Sequence, residues 1–240
     1  MRDQVLAWLA DNVPASRINH ILGVEQMAGD LARHYNLNVE TAAQAGLMHD
    51  LAKYFKPQRL LEMARAEGLE IDQVMVANPH LLHADVSAIV ARDTFGVEDE
   101  EVLQAIANHT LGRPGMSLLS CILFLADSLE PGRGDSPELQ ILRRLSCQSL
   151  AQAIWLTCDY SLQFLLKTHC LIHPRTIATR NWFLQRAKNE QLQTQRSAGG
   201  SSGGCDEQAQ RPAGDGSGDC DEQAQRSAGG SALPQAQIIA

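Results

Sequence analysis

Apolar residues in the first 188 positions recur mainly at helical spacing, and no convincing pair of β-strands can be recognised. A clear example is the segment Arg17–Tyr35, where the recurring positions are separated by four, three and four residues. These positions are His20, Val24, Met27 and Leu31. The spacing predicts a helix with one buried face, and it places an imidazole among the apolar side chains of that face.

The same spacing, interrupted at Pro and Gly residues, predicts a series of further helices and an all-α core. They are Val39–Phe55, His80–Phe95, Glu98–Thr110, Ser117–Glu130, Glu138–Cys170 and Pro174–Lys188. Pro57 begins a new element, and Pro174 stands in the first turn of the last helix. Small residues in Val39–Phe55 are expected to let neighbouring helices approach closely.

The C-terminal segment has a different composition and carries a repeat of 15 residues. CDEQAQR begins at position 205 and again at 220, and every Trp, Tyr and Phe of the chain lies before this segment. A segment so poor in apolar residues cannot build a core. We therefore predict a folded domain over residues 1–188 and a flexible, disordered low-complexity tail over 189–240, with a partner-binding tail as the alternative.

Charge and cysteine content narrow the class of protein. The net charge is −8, of which the tail contributes −4, so that broad nucleic-acid binding is not expected. The six cysteines form no CxxC pair, which favours reduced thiols in a cytoplasmic protein. No apolar run is long enough for a membrane helix or a secretory signal.

The dipeptide His49-Asp50 is the first candidate for metal chemistry, because an imidazole and a carboxylate can bind one divalent cation together. Both lie within the predicted helix Val39–Phe55, where successive side chains point about 100° apart. They can share an ion only if other helices supply further ligands. An ordinary polar pair is the alternative, and Lys53 on the same face would then be its ion-pair partner.

Asp127 is the only charged residue between Arg113 and Glu130, and it lies in the apolar sequence MSLLSCILFLADSL. A carboxylate in a buried helix is costly unless a cation or hydrogen-bond donors compensate it. The pattern indicates either a structural ion pair or a metal ligand.

Other basic and imidazole residues complete the candidate set. His83 and His109 follow turns or helix ends and are expected to bind phosphate or a second ion, or to act as general acids, with satisfied structural histidines as the alternative. Arg133 lies six residues beyond Asp127 in a loop rich in Pro and Gly, where it could bind phosphate through two hydrogen bonds. Arg17 lies one helical turn before His20.

A site with two His and two Asp favours an octahedral transition metal with open positions over a closed structural zinc site. Iron, manganese, zinc and magnesium all remain candidates. Such an ion polarises a phosphoryl oxygen and lowers the pKa of bound water, as hydrolysis of a phosphoanhydride requires.

The ordered motifs RINHILGV, AGLMHDLAK, LLHADVSA, IANHT and ADSLEPGR resemble those of HD-domain metal-dependent phosphohydrolases, and specifically the bacterial YqeK family. The resemblance covers about residues 1–188. It implies an HD-domain helical bundle that cuts the dinucleoside polyphosphate diadenosine tetraphosphate symmetrically into two ADP. It also implies a divalent metal, with iron expected first and manganese or another transition metal as alternatives.

The resemblance also implies roles for individual residues. The metal ligands would be His20, His49, Asp50 and Asp127. Residues in contact with the substrate would be Arg17, His20, Asp50, Lys53, His83, His109, Thr110, Asp127 and Arg133. Asp50, His83 and His109 would take part in catalysis, and Thr179, Arg180 and Asn181 of the final helix would border the nucleotide.

Asp85 departs from the family pattern, because a small residue is usual at its position. It adds a carboxylate near the expected phosphate region. Two other functions stay open at this point: hydrolysis of mononucleotides or other phosphoesters, and nucleotide sensing without catalysis. A homodimer is also compatible with the sequence.

Overall fold

The computed structural model describes residues 1–199, with side chains over residues 1–196, and every regular element in this part is helical. This confirms the all-α prediction. The α-helices are α1 Arg2–Asn12, α2 Ala15–His34, α3 Val39–Met48, α4 Pro57–Ala66, α5 Gln73–Ala77, α6 His83–Phe95, α7 Glu100–Asn108, α8 Leu118–Leu129, α9 Pro137–Ser146, α10 Leu150–Lys167 and α11 Pro174–Gly199. Two 3-10 turns cover Pro79–Leu82 and Pro131–Arg133.

The helix that was predicted to contain His49 and Asp50 ends before them. Helix α3 stops at Met48, and the next residues form turns as far as Tyr54. A continuing helix would bond the N–H of Ala52 to the carbonyl of Met48, but this N–H donates to Ser87 Oγ on α6 at 2.9 Å. A hydrogen bond from outside the helix thus replaces the next intrahelical one.

The predicted helix Glu138–Cys170 is two helices, α9 and α10. The carbonyl of Ser146 accepts from the Tyr35 hydroxyl, and that of Cys147 accepts from His34 Nε2, both at 2.7 Å. Ser149 then caps α10 by accepting from the N–H of Gln152. His34 and Tyr35 at the end of α2 therefore satisfy carbonyls at the end of α9. The local sequence of α9 does not reveal these contacts.

The last helix continues past its predicted end at residue 188 and reaches Gly199. The first part of the predicted tail is therefore helical. The 15-residue repeat from position 205 lies outside the described residues.

The centre of the bundle consists of α2, α3, α7 and α8, with α6 packed on α7. Helix α8 is almost entirely buried, and its side chains from Leu119 to Leu125 form much of the core. Gly46 allows α3 to cross α2 closely, because a Cβ at this position would lie 2.8 Å from Cα of Glu25. This contact supports the expectation that small residues bring these helices together.

Helices α10 and α11 pack against each other, and α10 also contacts α8 and α9. Among the described helices, none is both long enough and apolar enough to cross a membrane. The ends of α3, α7 and α8 and the first turns of α2 and α6 place polar residues at one buried location, which forms the candidate site.

Candidate metal centre

Three buried histidines are held in the same way, each by the backbone three residues before it. Nδ1 of His49 lies 2.7 Å from the carbonyl of Gly46, and Nδ1 of His109 lies 2.7 Å from that of Ile106. Nδ1 of His83 lies 2.5 Å from the carbonyl of His80. A carbonyl can only accept, so Nδ1 donates in each case. In the neutral ring, Nε2 therefore keeps its lone pair for a metal ion or another donor.

The first group of candidate ligands joins His20, His49, Asp50 and Asp127. Nε2 of His20 lies 3.0 Å and Nε2 of His49 lies 3.7 Å from Oδ1 of Asp127. Nε2 of His49 also lies 3.2 Å from Oδ2 of Asp50. Ligands about 2.1 Å from a shared ion are at most about 4.2 Å apart, so these separations fit a single metal ion.

The second group shares Asp50 and adds His83 and His109. Their Nε2 atoms lie 3.3 and 3.8 Å from Oδ1 of Asp50 and 3.1 Å from each other. The hydroxyl of Thr110 lies 3.2 Å and Nζ of Lys53 lies 3.5 Å from Nε2 of His83. Asp50 therefore stands between two sets of imidazoles, each compact enough to hold a metal ion.

The pattern of hydrogen bonds at Asp50 and His49 fits a bound cation. Among the described residues, the buried atoms Oδ1 of Asp50 and Nε2 of His49 have no hydrogen-bond partner, while Oδ2 of Asp50 is held by the Arg17 guanidinium. Buried polar atoms of this kind are rare without a ligand, since each would cost about 1–3 kcal/mol. Two imidazoles and two carboxylates are also a donor set that divalent transition metals accept.

The two carboxylates of the centre are ionised. Burial would raise the pKa of Asp50, but His49 and Arg17 outweigh it and hold this pKa well below its usual range. Burial acts likewise on Asp127, where Arg133 and His20 keep the pKa low. Negative charge on both groups is the state in which they bind a cation.

Electrostatics also favour neutral rings in the second group. Burial lowers the pKa of His109 well below its usual range, and the neighbouring His49 adds to this effect. Burial and Lys53 lower the pKa of His83. Burial also lowers the pKa of Lys53, against the opposing effect of Asp50. A neutral imidazole is the form that coordinates a metal or accepts a proton.

Arg17 and Arg133, which the resemblance assigns to phosphate, contact the carboxylates in this structure. Arg17 forms an ion pair with Asp50. Arg133 forms an ion pair with Asp127 and also donates to its backbone carbonyl at 2.7 Å. Both guanidinium groups therefore border the centre, where a phosphate could replace part of these contacts.

The three predicted contacts on α11 have other partners or remain exposed. The hydroxyl of Thr179 donates to the carbonyls of Leu111 and Arg175, and this residue is fully buried. Arg180 forms a two-pronged ion pair with Asp159. Asn181 is exposed. Their contact with a nucleotide stays a prediction.

Asp85 is partly buried on α6, and its carboxylate lies 3.7 Å from Arg175 on α11. Burial raises the pKa of Asp85, with Arg175 and Arg113 opposing the rise. This carboxylate, which departs from the family pattern, belongs to neither candidate ligand group.

Glu130 was not singled out in the sequence as a site residue. It directly follows α8, is only 3% exposed, and its Oε1 lies 2.9 Å from Nδ1 of His20. The sequence contains one signal that could have identified it: Glu130 is three residues from Asp127 and precedes a Pro-Gly turn, which can bring it back towards the site.

Comparison with known proteins identifies the family. Residues 17–132 match the HD domain model. The chain is 37% identical to the symmetrical bis(5'-nucleosyl)-tetraphosphatase of Halalkalibacterium halodurans, over 78% of this chain and 99% of the relative. The chain belongs to this HD-domain family.

Further relatives agree with this assignment. The symmetrical bis(5'-nucleosyl)-tetraphosphatase of Bacillus subtilis is 33% identical, over 76% of this chain and 97% of the relative. The crystal structure of a protein from Clostridium acetobutylicum, described as a predicted HD superfamily hydrolase involved in NAD metabolism, superposes with a TM-score of 0.74. It is 35% identical and covers 78% of this chain and 98% of that one. The predicted HD-domain resemblance is therefore confirmed.

Proposed function

We propose that this chain is a metal-dependent hydrolase that cuts diadenosine tetraphosphate symmetrically into two ADP. The observation that carries the proposal is the set of buried, ionised carboxylates and imidazoles around Asp50, in a chain whose curated relatives bear the name of this activity. The substrate is a dinucleoside polyphosphate, and the divalent metal that we expect first is iron, with manganese or another transition metal as alternatives.

His20, His49, Asp50 and Asp127 would hold the metal ion. When bound, the ion supplies Lewis-acid polarisation of a phosphoryl oxygen and lowers the pKa of a bound water. The ionised carboxylates and the inward Nε2 atoms present the donor atoms that this task requires.

The side chains of the second group would bind and orient the polyphosphate. Lys53, beside His83, provides positive charge next to the carboxylate of Asp50. Thr110 adds a hydroxyl at 3.2 Å from His83. Arg17 and Arg133 border the same space and would bind the phosphate oxygens through two hydrogen bonds each.

The chemistry is attack of water on a phosphorus in the middle of the bridge. The new P–O bond forms as the bond to the bridging oxygen between the second and third phosphates breaks, and one ADP leaves with that oxygen. Asp50, or the neutral ring of His83 or His109, accepts a proton from the attacking water. Lys53 and Arg133 offset the charge that develops on the departing diphosphate.

Product analysis tests this reaction directly. The chain is purified without oxygen, its metal content is measured, and it is incubated with diadenosine tetraphosphate. We expect ADP as the only nucleotide product, at two molecules per substrate consumed. Formation of AMP with ATP would contradict symmetrical cleavage. Release of inorganic phosphate from mononucleotides at a higher kcat/KM would favour a phosphomonoesterase instead.

Two further properties belong to the proposal. Four cysteines in the described residues are free thiols, which agrees with a cytoplasmic location. A homodimer is compatible with the exposed apolar side chains of Ile141 and Leu166. Light scattering of the purified chain would determine the oligomeric state.

A further inference from the structure

The side chain of Glu130 connects the candidate metal centre to the turn that follows α8. Its Oε1 lies 2.9 Å from Nδ1 of His20, while its Oε2 accepts from the N–H of Gly132 at 2.5 Å. The residue is only 3% exposed. Each oxygen of a buried carboxylate thus has one defined partner.

His20 differs from the other three histidines of the centre in how its ring is held. His49, His83 and His109 lie at helix ends, where Nδ1 reaches the carbonyl three residues earlier. His20 lies inside α2, where the nearby carbonyls accept from the helix backbone. Its Nδ1 therefore needs an acceptor from another element, and Glu130 provides it.

We propose that Glu130 is a positioning residue, which fixes the ring of His20 by accepting from Nδ1 and so directs Nε2 to the metal ion. Nε2 of His20 lies 3.0 Å from Oδ1 of Asp127, within the proposed ligand set. A carboxylate that accepts from the far nitrogen of a ligating histidine orients the ring and increases its basicity. The inference rests on the metal centre of the proposed function.

Two glycines make room for this carboxylate. A Cβ at Gly23 on α2 would lie 2.5 Å from Oε2 of Glu130, and a Cβ at Gly132 would lie 2.9 Å from both of its oxygens. Real Cβ atoms do not approach so closely, so either addition would displace the carboxylate. The absence of a side chain at two separate positions of the chain thus leaves room for the Glu130 carboxylate.

The first test is Glu130→Gln, with Glu25→Gln as the matched control. Glutamine replaces one of the two carboxylate oxygens by an NH2 group, which only donates, so it cannot reproduce acceptance from His20 at one atom and from Gly132 at the other. Glu25 lies on α2, as His20 does, and forms a two-pronged ion pair with Arg2. Its carboxylate contacts no member of the centre in the described residues. Mn²⁺ affinity is measured by competition with a chelator. We expect Glu130→Gln to bind Mn²⁺ about 10- to 100-fold more weakly and Glu25→Gln to match the parent.

The second test moves Glu130 without removing it. Gly23→Ala should displace the carboxylate, whereas Gly29→Ala on the same helix places its Cβ 3.4 Å from Val39, an ordinary contact. Both substitutions increase helix propensity by a similar amount. We expect only Gly23→Ala to weaken Mn²⁺ binding, which keeps the inference testable if Glu130→Gln fails to fold.

A spectroscopic readout reports the hydrogen bond itself. In the zinc-loaded chain, a one-bond ¹H–¹⁵N spectrum of the imidazole region shows the Nδ1 proton of His20, which in the parent should resonate downfield because a carboxylate accepts it. We expect this signal to move upfield or to disappear by solvent exchange in Glu130→Gln and Gly23→Ala. The Nδ1 proton of His49 should stay unchanged, because its carbonyl partner is intact.

The outcomes separate the two proposals. If the parent binds Mn²⁺ and the folded variants bind it equally well, the role of Glu130 is refuted and the metal centre stands. If the parent binds neither Mn²⁺ nor zinc, the proposed centre is refuted, and this role of Glu130 with it.

Discussion

Two carboxylates of this chain, the buried Asp127 on α8 and the partly buried Asp85 on α6, both have an arginine close by but have opposite electrostatic environments. Asp127 forms an ion pair with Arg133 and lies 3.0 Å from Nε2 of His20. Asp85 lies 3.7 Å from Arg175, whose Nε and Nη2 have no hydrogen-bond partner among the described residues. The pKa of Asp127 is therefore held low, whereas burial prevails at Asp85 and raises its pKa.

The difference shows that a carboxylate shielded from solvent, with an arginine nearby, does not by itself indicate a metal site. The centre around Asp127 and Asp50 differs because imidazoles from α2, α6 and the ends of α3 and α7 converge on it. The surroundings of Asp85 contain no candidate ligand group in the described part of the chain. Substitutions that remove charge should therefore have very different consequences in the two places.

The largest effect is expected for Asp50→Asn, because Asp50 belongs to both candidate ligand groups. The amide keeps the shape but loses the charge that binds the cation. We expect turnover to fall by at least about 1,000-fold, corresponding to about 4 kcal/mol of transition-state stabilisation, together with loss of bound metal. Elemental analysis and a discontinuous ADP assay measure both quantities. Full metal content with normal turnover would remove Asp50 from the centre.

Asp127→Asn is expected to have the next largest effect and forms the direct contrast with Asp85. The proposed ligand set loses one carboxylate, and Arg133 loses its charged partner. We expect metal affinity to fall at least about 10-fold and turnover by about 100-fold or more. Asp85→Asn is the control for removing a carboxylate that is paired with an arginine outside the centre. Retention of full metal content and full turnover in Asp127→Asn would show that Asp127 is a structural ion-pair residue.

His83→Gln should separate catalysis from metal binding within the centre. His83 contacts Lys53 and Thr110 but is not in the proposed ligand set of the first group. We expect kcat to fall by about 100-fold, the size of a lost acid–base or phosphate contact, while metal stays bound by the intact ligands His20, His49, Asp50 and Asp127. If His83→Gln instead halves the metal content per chain, the second group holds its own ion.

Asp85→Asn should have the smallest effect on activity, with turnover within about threefold of the parent. Its effect on stability should depend on pH. The folded chain binds the Asp85 proton more tightly than the unfolded chain does. Protonation of Asp85 therefore stabilises the fold below about pH 4, and this stabilisation is lost as the pH rises through the raised pKa of the folded chain. Asparagine does not titrate, so the variant does not lose stability in this way as the pH rises.

The stability of Asp85→Asn relative to the parent should therefore increase between pH 4 and pH 8, as measured by denaturant unfolding at each pH. A relative stability that decreases over this range would show that the ion pair with Arg175 outweighs burial. A large loss of turnover would instead place Asp85 in the catalytic region.

Local sequence was sufficient for much of the fold because most helix starts carry a polar cap or a proline. Asn38, Asp99 and Ser117 cap α3, α7 and α8 with their side chains. The ends were less predictable. Helix α3 ends where the N–H of Ala52 donates to Ser87 of α6. Helix α9 ends where side chains at the end of α2 donate to its last carbonyls. A contact between two segments that are distant in the chain leaves no periodic pattern in the sequence of either segment.

The same limit applies to the site. The apolar spacing of α2 revealed His20, and the isolated charge in α8 revealed Asp127. A polar residue in an apolar stretch can be recognised from the sequence alone. Glu130 was missed because its partner lies 110 residues away. The contacts of Arg180 with Asp159 were not foreseen for a similar reason, since two facing helices create them.

The sequence alone determined the helical class of this protein, most of its helix starts and the residue types of a metal-dependent phosphohydrolase. Hydrophobic periodicity, capping residues and ordered motifs are properties of short segments, so they can be read without the fold. Only the tertiary structure decided that His49 and Asp50 lie in a turn, that Asp50 stands between two imidazole groups, and that Glu130 contacts His20. These features depend on distances between helices far apart in the chain, and packing of the whole bundle sets those distances.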